Sequence, residues 1–140
     1  MMKHILVLLL SVLTLVSCVT ATGPVFNEMK FNEKDSIVYI YRESSIVGGA
    51  LSVDLYVNGE YLISLDNDGY YPVRVKPGDF KINAEAGIVS KEITINAHPG
   101  RKYYIRTGGL AGYDGELLLI NMETKIGSKQ IVDNRLQEKE

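Results

Sequence analysis

Residues 51–65, LSVDLYVNGEYLISL, decide how this chain is read. Leu51, Val53, Leu55 and Val57 recur at every second position, the pattern of a strand with one face in a core. Asn58-Gly59 follows. Both residues tolerate positive φ, which the two-residue type I′ hairpin turn requires. Tyr61, Ile63 and Leu65 then carry the inward face back along a return strand.

The same pattern continues on either side. Upstream, residues 37–42 (IVYIYR) set Val38 and Ile40 on one face and Tyr39 and Tyr41 on the other. Residues 44–50 form a loop that carries Gly48 and Gly49. Downstream, Asp66-Asn67-Asp68-Gly69 is a second turn, and Tyr71, Val73 and Val75 alternate after it. Pro77-Gly78-Asp79 is a third turn. Phe80, Ile82 and Ala84 alternate, as do Ile93, Ile95 and Ala97. Pro99-Gly100 turns into residues 102–107 (KYYIRT), and Glu116–Met122 is the last apolar run. Seven or eight short strands with turns at this spacing predict an all-β chain, a small antiparallel β-sandwich. The polar tail 125–140 carries Ile126, Ile131, Val132 and Leu136, which suit a short C-terminal helix.

Taken in order, the segments form a signature: YIYR at 39–42, LSVDLYVNGE at 51–60, GYYPVRVKPGDF at 69–80, PGRKYYIRTGG at 99–109, and the apolar LLLI at 117–120. The order resembles a bacterial family known as domain of unknown function 2846, over roughly residues 36–130. That resemblance implies a small β-sandwich like those of surface-layer and PEGA-type modules. It also implies a lipobox, which members often carry, and it supplies no catalytic residues.

The N-terminus carries its own signal. Lys3 is followed by an apolar run from Ile5 to Val16, interrupted by Ser11 and Thr14. About a dozen apolar residues suit the core of a signal peptide, whereas a spanning helix needs about 20. Leu15-Val16-Ser17-Cys18 resembles a lipoprotein cleavage box, with an aliphatic residue three before the Cys and a small one just before it. The resemblance implies a diacylglyceryl group on the Cys18 thiol, cleavage before Cys18, and N-acylation of the new terminus. Cys18 is the only Cys of the 140 residues, so no internal disulfide can form. A lone Cys in an exported chain needs an explanation, and lipidation supplies one. Val19 after the Cys resembles the outer-membrane default of lipoprotein sorting.

These readings divide the chain into a signal peptide (1–17), a lipidated terminus and tether (18–35), a β-sandwich (36–124) and a polar tail (125–140). Fully extended, the tether would reach roughly 60 Å. The patch from Met29 to Phe31 offers it an alternative, docking on the domain. Removing residues 1–17 takes away one cation, Lys3, and no acid. That leaves fourteen Lys and Arg against seventeen Asp and Glu, a net charge of −3. Such a balance argues against nucleic acid as a partner.

Few residues suggest chemistry. Asp66, Asp68 and Gly69 begin like a Ca²⁺ loop, but the twelfth position, where a bidentate Glu belongs, is Pro77. Residues 108–115 (GGLAGYDG) are glycine-rich but lack the Lys-Ser or Lys-Thr and the helix of a phosphate loop. They read as a connecting loop, with Tyr113 and Asp114 available for recognition. His98 precedes Pro99 in a turn and reads as solvated, and no His/Cys cluster suits zinc. The nine Tyr invite two readings. In one, their rings cover the sandwich. In the other, Tyr39 and Tyr41 form an exposed patch for a glycan or protein partner, with Arg42 and Arg106 stacked on the rings.

The expectation is a lipid-anchored protein of the bacterial envelope, at the outer membrane and facing the periplasm. It binds or assembles rather than catalyses and uses no cofactor beyond its lipid. The alternative is an envelope enzyme, or an inhibitor of one, working through the loop carboxylates Asp54, Asp114 or Glu116.

Overall fold

The computed structural model describes residues 19–46, 48–111 and 116–139. Its nine strands form two sheets packed face to face. The first sheet runs β8 (Glu116–Met122), β7 (Lys102–Ala111), β1 (Ser36–Arg42), β4 (Gly69–Val75), β9 (Arg135–Leu136). The second runs β3 (Glu60–Leu65), β2 (Val53–Val57), β5 (Gly78–Ala86), β6 (Val89–Ala97). The expected sandwich is present, and so is the short helix, α1 (Thr124–Gln130).

The expected antiparallel pairing holds for the second sheet only. β1 pairs parallel with β7, and β4 pairs parallel with β9, so the first sheet is mixed. The connection at 98–101 carries the chain from β6 in one sheet to β7 in the other. β7 therefore enters beside β1 running the same way, an arrangement that alternation within a strand does not reveal.

Alternating side chains fill the space between the sheets. Val38 and Ile40, with Ile105 and Leu119 of the same sheet, pack against Leu55, Leu65 and Ile82 of the other in one buried cluster. The Asn58-Gly59 turn forms as expected, with φ of 50° and 83°. One register differs. β2 and β3 pair Leu55 with Ile63 but Tyr56 with Tyr61, so Leu62 is an extra residue on β3. This bulge turns Tyr61 away from the expected inward face. Tyr61 is exposed and packs edge-on against Tyr56, with ring centroids 5.6 Å apart.

β1 is buried on both faces, because a second core lies behind the first sheet. Ile37, Tyr39, Tyr41, Tyr70, Tyr104 and Ile131 form it, with Phe26, Phe31, Met122 and Leu136 packed against them. Two chain ends cover this face. Residues 19–35, expected as a tether, are docked as a strap. Thr20 bridges Asn67 and Val25 bridges Arg135. Phe26 then seats edge-on against Tyr39 and Tyr70, at 5.2 and 5.1 Å. The tail is part of the fold as well: α1 lies on Tyr104, Ile131 is fully buried, and β9 extends the sheet. The physical reason is the need to cover apolar area: Ile37, Tyr39, Tyr41, Tyr70 and Tyr104 on one sheet face would otherwise meet water.

Candidate functional site at the loop end of the sandwich

Strand direction puts the loop 43–52, the turn 66–68, the β5–β6 hairpin tip and the start of β8 at one end of the sandwich. A buried cation organises that end. Arg42, the last residue of β1, is 1% exposed. Its Nη2 donates to the Gly48 carbonyl at 2.6 Å and its Nη1 to the Leu51 carbonyl, so the guanidinium holds both arms of the loop. Nε is buried without a hydrogen-bond partner among the described residues. Burial pulls the guanidinium below its usual range, and the Asp66 carboxylate opposes that shift.

Three polar residues complete the network. Asp66 accepts from Ser52 Oγ at 2.6 Å and from Gln137 Nε2 at 3.1 Å. Asn67 Oδ1 accepts the Ser45 N–H at 3.0 Å, and its backbone N–H donates to the Val19 carbonyl at 3.2 Å. Asn134 Nδ2 donates to the carbonyls of Arg42 at 2.6 Å and Gly69 at 3.2 Å. Gly49 is required here, because a Cβ would lie 2.2 Å from the Ser45 carbonyl oxygen. Hydrogen bonds to both arms of the loop from one buried guanidinium restrict its shape. Beside the network a groove of about 520 Å³ opens between β3 and the C-terminal tail, lined by Val19, Ser52, Tyr61, Asp66, Gln137 and Lys139.

The expected site residues do not gather at one place. Cys18, Tyr113 and Asp114 lie outside the described residues. Tyr39 and Tyr41 form no exposed patch: both are fully buried in the second core. The strap and α1 cover them, and their hydroxyls are spent on those elements. Tyr39 Oη accepts the Met29 N–H at 2.8 Å, and Tyr41 Oη donates to Gln130 Oε1 at 2.6 Å. The reading in which rings cover the sandwich therefore describes them. Among the described residues Arg42 stacks on no ring, and Arg106 forms an ion pair with Glu43. The cation over a ring is instead Lys139, 5.6 Å from the centre of Tyr71.

The carboxylates belong to separate strands. Asp54 stands in β2 opposite Ser64 and Glu85, while Glu116 begins β8 in the other sheet. The carboxyl that is raised is Asp68, pushed up by burial, opposed by Arg135 and assisted by Asp133. Among the described residues no group of three or more His, Cys, Asp and Glu is placed to hold a metal ion. His98 is exposed. The sequence reading put Arg42 on an exposed tyrosine patch, because its carbonyl partners Gly48 and Leu51 leave no mark in the strand pattern. The paired glycines at 48–49 were the signal, since a loop that wraps its carbonyls around a buried donor needs close backbone approach.

An uncharacterized protein of Haemophilus influenzae is 32% identical over 72 residues, which cover 51% of this chain and 42% of that relative. The chain thus matches less than half of the relative's length. The family model for the protein of unknown function DUF2846 matches residues 32–114. That match takes in β1 to β7 and spans more than half of the residues, so the chain belongs to the DUF2846 family.

Proposed function

We propose that this protein is a lipid-anchored module of the bacterial envelope, held to a membrane through Cys18, that binds or assembles rather than catalyses. The observation that carries the reading is the run Leu15-Val16-Ser17-Cys18 after a short apolar segment, with no second Cys to compete for its sulfur. Among the described residues no helix is long and apolar enough to cross a membrane. Two or more acyl chains would make attachment stable, at roughly 0.8 kcal/mol per buried methylene. Val19 favours the outer membrane, facing the periplasm. The partner would be an envelope protein or a cell-wall glycan.

A preorganised loop end on a rigid sandwich suits recognition. The test is mass spectrometry of the chain isolated from bacterial membranes. The expected N-terminal peptide starts at Cys18 and carries diacylglyceryl and N-acyl mass, and Cys18→Ser abolishes both the mass and the membrane association. An unmodified chain, or Cys18→Ser protein still anchored, would overturn the reading.

A further inference from the structure

The two ends of the sandwich differ in the character of their loops. At one end the connections are Asn58-Gly59, Lys76-Pro77 and His98-Pro99-Gly100-Arg101, all turn-forming or polar. At the other, the loop 43–52 presents Ile46 at 97% exposure and Leu51 at 45%, and the β5–β6 tip presents Ile88 at 105%. Val19, 41% exposed, joins them, because Asn67 pins its carbonyl to this end. No packing demand explains the placement of Ile46 and Ile88, since each side chain projects into solvent. Large aliphatic groups at the tips of separate connections, one closed over Arg42 and one a tight hairpin, suit insertion into a second phase.

We infer that this end of the sandwich faces the membrane and that Ile46, Leu51 and Ile88 enter the lipid interface beside the anchor. The inference rests on the lipid-anchor reading. Its added ground is distance. Residues 19–35 are strapped to the domain, so a lipid on Cys18 would be one residue, about 3.8 Å, from a Val19 already hydrogen-bonded to the loop end. The strap thereby replaces a reach of tens of ångströms with direct apposition. Acids and bases stand together at this end, Glu43 with Arg106 and Asp68 beside Arg135, so apolar insertion and not charge would supply the attraction, and the lipid recognised is an uncharged or zwitterionic surface.

The chain contains no Trp, so an introduced Trp reports alone. The full-length variants Ile46→Trp, Ile88→Trp and, at the opposite end, Lys76→Trp are to be expressed with Cys18 intact. They are then reconstituted in phosphatidylcholine vesicles with or without brominated acyl chains. Emission from positions 46 and 88 is expected to shift to the blue and be quenched by bromine, in low and high salt alike, while position 76 is unaffected. If the protein floats with the vesicles but 46 and 88 are quenched no more than 76, the inference fails and the anchor reading stands. A blue shift without bromine quenching would assign the tips to a protein contact and also overturn it. A chain without acyl mass removes both readings.

Discussion

The Tyr39 hydroxyl accepts the backbone N–H of Met29 at 2.8 Å, under a strap that leaves the ring no contact with water. One bond thus joins the central strand of the first sheet to the chain segment that precedes the sandwich. Burial, the main cause, pushes the Tyr39 phenol up, and the Met29 hydrogen bond opposes that shift.

Tyr39→Phe keeps the ring against Phe26 and removes only the acceptor. Stability should fall by about 1 kcal/mol, the net worth of one such bond. Tyr39→Ala should cost about 3–5 kcal/mol, as for other large-to-small core changes. Urea unfolding measures both. Equal losses would mean that the hydroxyl, not the ring, holds the strap.

Gly127→Ala provides a test of sign. In an isolated helix the change favours folding by about 1 kcal/mol. Here the added Cβ would lie 2.3 Å from Tyr104 Cβ, so α1 must lift from the sheet. The expected outcome is destabilisation of about 1–3 kcal/mol. A thermal midpoint that rises would show that α1 is not seated on Tyr104.

Arg42→Met should free the loop at 43–52. It removes two charge-assisted bonds, each worth about 1.5–3 kcal/mol, and leaves the carbonyls of Gly48 and Leu51 unpaired. Cleavage within that loop in limited proteolysis should become faster than in wild type. Arg42→Lys should restore little, because a point charge cannot span two carbonyls in a fork. Protection equal to wild type in either variant would deny the clamp.

Alkaline pH should destabilise the fold between pH 10 and 12. Burial, with Glu43 adding to it and Arg106 opposing, pushes Tyr41 up to about 12. Burial, with Glu28 and Tyr39 adding to it, pushes Tyr104 to about 12. An unfolded phenol ionises near 10. Above that pH the unfolded state binds fewer protons than the folded one, so stability falls as pH rises, by at most about 1.4 kcal/mol per unit for each group. Below pH 10 neither group alters stability. Denaturant midpoints across pH 8–12 provide the measurement, and a flat profile would mean that both hydroxyls are exposed.

Much of the inner core was legible. Val38, Ile40, Leu55, Ile63, Ile82 and Ile95 lie where alternation predicts, because a half-buried strand writes its burial into every second residue. Asn58-Gly59 was legible for a similar reason, since its positive φ values restrict residue choice locally. The second core was not. Tyr39 and Tyr41 alternate just as an exposed amphipathic face would, and a tyrosine suits either side.

The sequence by itself determined the β-sandwich class, most of the strands with their inward faces, and the turns, because each is a property of residues close together in the chain. Only the tertiary structure decided that residues 19–35 and 124–136 close over β1, that β7 runs parallel to it, and that Arg42 is buried in a clamp. Those features depend on apolar area and hydrogen-bond partners brought together from distant segments, such as Met29 with Tyr39 and Asn134 with Arg42. No local pattern records such pairings, since their free energy is realised only when both partners leave water together.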